Sequence, residues 1–576
     1  MTWEMVTNPL GNVALSALVD ALPIFFLFFS LAILRMKGHW AGLITALIAI
    51  GIAIFVHQMP AGLALGSAAY GALFGLWPIG WIVITAVFLY NLTVKTGQFE
   101  IIKDSIASIT DDRRLQALLI AFSFGTFLEG AAGFGTPIAI SSAMLVGLGF
   151  NPLYAAGICL IANTAPVAFG GVGIPIITAG AVTGIDAMQI SKMVGRQLPL
   201  LTIFVPFWMV FIMAGWKKTM EVMPAILVAG ISYAGTQWFA ANYLSPMLPG
   251  IIASLVSTTF MIIILKIWKP KTVWRFKDEP LVTVQVKRHS PGAIFKAWSP
   301  FIILTILIGD WGMNNVKALL DKFTLKFFLA IDKLIIAGGK PVEVVFKFNW
   351  LQATGTSILL AAIITAIILR ISPAIFFRTF WETLKNLRFA LITITSVLAF
   401  AYLANWSGIT TTLGNTLTVA GTMFPFMSAF LGWLGVLITG SDTSANALFG
   451  NMQKVTAESM GINPVLAVAT NSSGGVAGKM ISPQSIAVGC ASTGLVGKEG
   501  DLFRFTIAHS ILFTAFIGAL SMIQAYVFPR IIPEAIAQAK AAAASAAQGA
   551  TTVLLVTGLI VAVLAAIAAR QPRQTA

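Results

Sequence analysis

Two acids lie where the sequence is otherwise apolar and rich in small residues. Glu129 occurs in FGTFLEGAAGFGTPIAI (124–140), followed closely by glycines and Pro137, and Asp442 occurs in TGSDTSAN. An ionisable side chain at membrane depth is costly and usually marks a transport pathway or a proton relay. Burial would let such a carboxyl exchange a proton near neutral pH. We therefore predict proton coupling at both acids; helix capping by Asp442 and a surface position for Glu129 are the alternatives.

Further polar residues accompany the two acids. Lys479, in GGVAGKMISPQS, would neutralise Asp442, bind an anionic substrate or extend to the membrane interface. His509, in FRFTIAHSILF, is a candidate proton relay, with a structural hydrogen bond as the alternative. The other candidates for substrate binding, each of which could instead join helices together, are Gly130, Asn163, Thr164, Ser441, Thr443, Ser444, Asn446, Asn471, Ser472, Ser473, Ser482 and Gln484.

The elements that position these residues are predicted to be membrane helices. Of the 576 residues, 58% are hydrophobic and only 10% are charged, against about a quarter charged in soluble domains. Apolar runs close to the length of about 20 residues that crosses a bilayer recur from Val13 to Pro529. We predict an all-α polytopic membrane protein with about 12–14 transmembrane helices.

The distribution of charge predicts the orientation. The net charge of +15 comes from basic residues in short loops, so it indicates topology rather than nucleic-acid binding. The positive-inside rule places the N-terminus outside and the C-terminus inside. A lysine-rich segment, Asn315–Lys347, falls outside by the count of spans, and its spacing predicts an amphipathic helix on the surface.

Other functional classes find no support in the sequence. The two cysteines, Cys159 and Cys490, imply neither a disulfide framework nor a metal site. No nucleotide-binding loop, haem ligand pair or catalytic triad spacing occurs. We therefore expect no cofactor, no metal, no enzyme activity and no ATP-driven pumping.

A weak internal repeat relates the two acids. The motif Gly-Phe-Asn-Pro ends at Pro152 and Gly-Ile-Asn-Pro ends at Pro464, so the offset is 463 − 151 = 312 between the asparagines. This offset carries Glu129 to position 441, next to Asp442. The loop charges predict that the copies are inverted, and each contains a Gly/Pro-interrupted segment, at 163–175 and 471–485. Inverted repeats with broken or re-entrant helices are typical of secondary transporters, whose half-helix N-termini can bind a carboxylate.

These patterns predict six regions. They are N-terminal scaffold helices (1–112), transport repeat 1 (113–197), scaffold helices (198–425) with a cytoplasmic loop (269–296) and an extracellular amphipathic segment (314–350), transport repeat 2 (426–500), a last core helix (501–530), and an Ala-rich linker with an accessory C-terminal helix (531–576).

Long motifs resemble a known family. FLEGAAGFGTPIAI, NPLYAAGICLIANTAPVAFGGVGIPI and LGWLGVLITGSDTSANALFGNMQ closely resemble the bacterial L-lactate permeases, which include glycolate permeases. The resemblance covers about Pro9 to Pro529 and implies a symporter of the bacterial cytoplasmic membrane that carries L-lactate, D-lactate or glycolate with protons. The family is also similar to the wider ion-transporter superfamily. By analogy, this similarity implies that a mobile transport domain moves like an elevator against a homodimeric scaffold.

Three mechanisms are distinguished at this point. In the first, a hydroxycarboxylate lies between the two breaks, near Asn163–Ala165 and Asn471–Ser473, and protons drive its uptake. In the second, oxygens around Asn163 and Asn471 bind sodium, and the chain is a sodium-coupled carboxylate transporter of similar architecture. In the third the chain is a passive channel, against which the paired interrupted helices argue.

Overall fold

The chain is a bundle of helices with the dimensions of a membrane protein. A computed structural model describes residues 2–133, 135–276 and 287–533. Within those ranges nine helices are long and apolar enough to cross a membrane, or ten when a pair bent by 65° counts as one span. The predicted all-α membrane architecture with broken helices is confirmed. The sequence predicts about 12–14 spans. Shorter apolar helices such as Thr136–Gly147 and Thr354–Ile368 are not long enough to be counted as full spans.

In the N-terminal region, α4 (Ala61–Phe74) packs against the long helix α19 (Pro373–Ser407). Gly71 of α4 lies so close to Leu398 of α19 that a side chain could not fit between them. Pro78 interrupts the helical path in a π-helical turn, Gly75–Gly80, and so separates α4 from α5. The helices are α1 (Val13–Asp20), α2 (Leu22–Ala32), α3 (Gly38–Phe55), α4 (Ala61–Phe74), α5 (Trp81–Lys95), α6 (Gln98–Ala107) and α7 (Arg113–Gln116).

The first repeat consists of short helices separated by breaks. A π-helical stretch, Ala117–Phe124, leads into α8, which ends where Gly133 and Gly135 adopt positive φ angles that other residues avoid. The Asn151 side chain caps α10 by accepting from the Leu153 N–H at 2.9 Å. The helices are α8 (Gly125–Ala131), α9 (Thr136–Gly147), α10 (Pro152–Ala162), α11 (Gly170–Thr183) and α12 (Ala187–Val194).

The middle of the chain adds scaffold helices and a small β-structure. A Cβ on Gly130 of α8 would lie 2.7 Å from the Gly250 carbonyl carbon, so the first repeat packs backbone to backbone on α15. The helices are α13 (Leu198–Met220), α14 (Met223–Tyr243), α15 (Pro249–Ile267), α16 (Pro291–Gly312), α17 (Asn314–Asp321), α18 (Thr354–Ile368), α19 (Pro373–Ser407) and α20 (Ile409–Thr416).

The amphipathic helix predicted for the lysine-rich segment is wrong beyond α17. The chain there forms short strands, because β-branched and aromatic residues dominate and two adjacent glycines, Gly338 and Gly339, turn it at positive φ. β2 pairs antiparallel with β5, and β3 lies between β1 and β4. The strands are β1 (Trp3–Glu4), β2 (Leu325–Phe328), β3 (Ile335–Ala337), β4 (Lys340–Pro341) and β5 (Val345–Phe348).

The second repeat has the same order of elements as the first. Its α21 ends at Gly440, in the left-handed region, and Asn463 caps α23 as Asn151 caps α10. The last described helix, α25, crosses behind it. The predicted accessory helix and the C-terminus lie outside the described residues. The helices are α21 (Phe424–Thr439), α22 (Asp442–Ser459), α23 (Pro464–Gly478), α24 (Pro483–Thr493) and α25 (Glu499–Tyr526).

The two repeats are in register where each one breaks. A 3₁₀ turn follows the break in both copies, at Val167–Phe169 and at Lys479–Ile481. Their separation, 479 − 167 = 312, is the offset that relates the two Asn-Pro motifs. The next residue is extended in each case, with φ −66° at Gly170 and −64° at Ser482. The weak repeat seen in the sequence therefore corresponds to a repeated backbone.

Candidate functional site

Glu129 and Lys479 form an ion pair that joins the two repeats. The Lys479 ammonium donates to Glu129 Oε1 at 2.6 Å, and the two side chains are 10% and 4% exposed. Breaking such a pair by removing one partner leaves a buried charge uncompensated. Lys479 has a carboxylate partner, as one of the predicted alternatives required, but that partner is Glu129 rather than Asp442.

A glycine provides the space that Glu129 occupies. A Cβ at Gly170, the first residue of α11, would lie 2.6 Å from Glu129 Oε1. The second carboxylate oxygen, Oε2, is buried and has no hydrogen-bond partner among the described residues. A buried acceptor without a donor is costly, so this oxygen is available to a donor that the described residues do not supply.

Asp442 is held by neutral donors instead of a cation. Ser472 Oγ donates to Asp442 Oδ2 at 2.6 Å, and Asn446 Nδ2 lies 3.5 Å from the same oxygen. Asn471 Nδ2 donates to Asn446 Oδ1 at 2.8 Å, and Gln453 Nε2 donates to Asn471 Oδ1 at 2.6 Å. A chain of amides and hydroxyls inside repeat 2 thus ends on this acid, whose Oδ1 has no partner among the described residues.

A cavity of about 850 Å³ lies against both breaks. It is lined by the first residues of α22 and α24, by Gly135, which precedes α9, and by Gly170, the first residue of α11. Helix N-termini present N–H groups and the positive end of the helix dipole, which suits an anion. The predicted site residues that line this cavity are Glu129, Ser441, Asp442, Thr443, Ser444, Lys479 and Gln484.

The other predicted residues lie behind the cavity or away from it. Gly130 contacts α15, and His509 accepts from Trp208 Nε1 at 3.2 Å outside the cavity lining. Both polar side-chain atoms of Asn163 and Ser473 Oγ are buried without partners among the described residues. The remaining predicted residues, buried in local hydrogen bonds outside the lining, are Thr164, Asn446, Asn471, Ser472 and Ser482.

Some residues of the site were not identified from the sequence. Gln453 follows Asn446 by seven residues and Asp442 by eleven on one helix, so helical periodicity was a usable signal. Arg35, His39 and Glu499 also line the cavity, but they come from distant helix ends, and only the packing brings them there. Within the described residues, no group of three His, Cys, Asp or Glu side chains is arranged to hold a metal ion.

Comparison with known proteins gives the family. A family model described as L-lactate permease matches residues 16–528. The chain belongs to the L-lactate permease family. The L-lactate permease of Bacillus subtilis is 54% identical over 563 residues, which are 92% of this chain and 100% of that protein. A glycolate permease of Escherichia coli is 52% identical and an L-lactate permease of that species is 49% identical, both over 92% of this chain and at least 99% of their own lengths.

Family membership agrees with the resemblance seen in the sequence and sets the broad class. The chain is a multi-pass bacterial membrane protein of a transporter family. Among solved structures, the YdaH transporter of Alcanivorax borkumensis superposes with a TM-score of 0.46 at 14% identity, covering 85% of this chain and 98% of that one.

Proposed function

We propose that the chain carries L-lactate and related 2-hydroxymonocarboxylates, including D-lactate and glycolate, across the cytoplasmic membrane together with protons. Relatives covering nearly the whole chain are named L-lactate permease and glycolate permease, which supports this substrate class. These substrates share a carboxylate, an adjacent hydroxyl and a short carbon chain. The site must therefore bind one negative charge and one hydroxyl in a small space.

The observation that carries the proposal is the ion pair between Glu129 and Lys479 at the cavity wall. A substrate carboxylate and the Glu129 carboxylate compete for the same ammonium, 2.6 Å from Glu129 Oε1. Protonation of Glu129 weakens its hold on Lys479, because a neutral carboxyl is a poorer partner for a cation than a carboxylate. The cation is then free to bind the substrate. Proton and anion are in this way taken up together.

The neighbouring groups complete the binding of the substrate. The α22 residues Thr443 and Ser444 and the α24 residue Gln484 line the cavity and offer hydroxyl and amide groups to the substrate hydroxyl. The helix N-termini to which they belong stabilise the carboxylate. With one proton and one monoanion bound, the load adds no net charge, which lowers the cost of its passage through a low-dielectric path.

Uptake of labelled L-lactate into proteoliposomes tests this proposal. A pH gradient, acidic outside, should drive accumulation above equilibrium, and D-lactate and glycolate should compete more effectively than pyruvate. Glu129→Gln should abolish proton-driven accumulation and still permit exchange of internal for external lactate, because a permanently neutral side chain leaves Lys479 available. A Glu129→Gln protein that still concentrates lactate under a pH gradient would show that this carboxyl does not couple the proton.

Coupling to sodium instead of protons is a second candidate, and three buried oxygens support it. Asn163 Oδ1, Ser473 Oγ and Asp442 Oδ1 are buried oxygens without partners among the described residues, and oxygen ligands suit a hard cation. Asn471, by contrast, uses its side chain within the repeat and offers no free oxygen. The same proteoliposomes, given a sodium gradient at equal pH, distinguish the two: accumulation only with the sodium gradient would favour this alternative.

A further inference from the structure

An arginine at the rim of the cavity has no role in the transport scheme above. Arg35 follows α2 and lines the same cavity as Lys479 and Glu129. Its side chain is exposed, and none of the described residues forms a hydrogen bond or ion pair with it. Glu499, at the start of α25, lines the cavity as well and is close enough to interact electrostatically with Arg35.

The backbone at Arg35 is one that glycine would adopt at lower cost. After α2 ends, Arg35 has φ +50°, and the Met36 N–H returns to the Ser30 carbonyl at 2.8 Å. Helices that end this way usually place glycine in the left-handed position, because a Cβ is strained there. The local fold therefore does not require an arginine here, and what distinguishes Arg35 is that it lines the cavity.

We infer that Arg35 forms an outer carboxylate-binding subsite, at which the substrate anion is held before it reaches Lys479 or after it leaves. This inference rests on the proposed function, because the anion is the hydroxycarboxylate itself. A guanidinium presents paired N–H donors that match a carboxylate. A cation without a hydrogen-bonded carboxylate partner among the described residues, at the rim of a cavity with low-dielectric walls, also raises the local concentration of anions.

The chain contains a matched control for this residue. Arg370 follows α18 with φ +54°, and the next N–H, that of Ile371, returns to the Ala366 carbonyl at 2.8 Å. It is likewise an exposed arginine at a left-handed helix end, but it does not line the cavity. Substituting glycine at Arg35 and at Arg370 thus removes the same charge and relieves the same kind of strain, and only one of the two changes affects the cavity.

Four proteins test the inference: wild type, Arg35→Gly, Arg35→Lys and Arg370→Gly. The KM for L-lactate is measured in right-side-out and inside-out membrane vesicles at low salt and at 1 M salt. Arg35→Gly should raise the KM about threefold to tenfold in one vesicle orientation at low salt, with little change in maximal rate. The difference from wild type should shrink at 1 M salt, where charges are screened within about 3 Å. Arg35→Lys should recover part of the loss, and Arg370→Gly should behave as wild type.

A melting temperature for each protein separates binding from folding. Arg35→Gly should melt at or above the wild-type temperature, because glycine relieves the strained backbone while binding is weakened. The inference is overturned if Arg35→Gly and Arg370→Gly have the same KM in both orientations, or if the loss in Arg35→Gly persists undiminished at 1 M salt. Wild-type protein that neither binds nor transports L-lactate would instead refute the proposed function itself.

Discussion

The two breaks hold their acids in opposite ways. At the first, Glu129 is paired with a lysine contributed by the other repeat, 350 residues away. At the second, Asp442 is held by Ser472 and Asn446, neutral groups of its own repeat. Each acid also lies against a glycine, Gly170 for Glu129 and Gly475 for Asp442.

This difference indicates which of the two acids can exchange its binding partner. A charge pair that spans two repeats can be broken when a competing anion arrives. Breaking it also removes a contact between the two repeats. A carboxyl embedded in amides and hydroxyls has donors that do not leave, so it keeps one position. We therefore expect substitutions at the first break to affect coupling more strongly than those at the second.

The largest expected effect is that of Lys479→Gln. The substitution leaves Glu129 buried without its cation, and breaking a buried pair in this way costs about 3–5 kcal/mol. Uptake of labelled L-lactate in proteoliposomes should fall more than about a hundredfold, since 1.36 kcal/mol corresponds to a factor of ten, and the melting temperature should drop. The double variant Glu129→Gln/Lys479→Gln should regain the melting temperature but not uptake. Substantial uptake by either protein would contradict the role given to Lys479.

A smaller effect is expected from Gly170→Ala. The backbone there, φ −66° and ψ 156°, accepts alanine without strain, so the change acts through the 2.6 Å approach of its Cβ to Glu129 Oε1. Overpacking of this kind costs about 1–3 kcal/mol, and proton-driven accumulation should fall about tenfold.

Two further alanines make the Gly170 test specific. Gly147→Ala, where a Cβ would meet nothing within 4 Å, should leave accumulation unchanged. Gly475→Ala makes the same test at the second break, because its Cβ would meet Asp442 Oδ1. If Gly170→Ala and Gly147→Ala accumulate lactate equally, the packing of Glu129 against Gly170 does not matter for coupling.

The smallest effect is expected from Ser472→Ala. It removes the donor 2.6 Å from Asp442 Oδ2, and an unsatisfied buried acceptor costs about 1–3 kcal/mol. Because Asn446 remains beside the same oxygen, we expect only about a fivefold loss of uptake rate. Ser396→Ala, which removes a buried hydroxyl that donates within α19, is the matched control. A loss as large as that of Lys479→Gln would show that the second break is not the less sensitive one.

The sequence could predict several residues that line the cavity but not which of them pair. Glu129, Asp442 and Lys479 could be found because charged residues are rare within apolar sequence, and the Asn-Pro motifs gave the repeat. Which acid Lys479 contacts depends on how two distant repeats pack, and no local pattern encodes that.

Backbone geometry accounts for the other failures. The close contact between Gly170 and Glu129 and the left-handed backbone of Arg35 depend on the folded structure, and no sequence pattern predicts them. The lysine-rich segment was misread because helical spacing of charges outweighed the strand preference of its Phe, Ile and Val residues. Orientation of the chain in the membrane stays a prediction from its charges.

The register of the two 3₁₀ turns has a consequence for selectivity. Position 167 in one copy corresponds to position 479 in the other, and both side chains line the cavity. The same turn thus contributes a branched hydrocarbon, Val167, to the cavity lining in one copy and an ammonium, Lys479, in the other. A two- or three-carbon hydroxy acid is itself asymmetric, with a carboxylate at one end and a hydrogen or methyl group at the other. We therefore expect that a dicarboxylate bound at Lys479 is disfavoured where its second charge would have to face Val167.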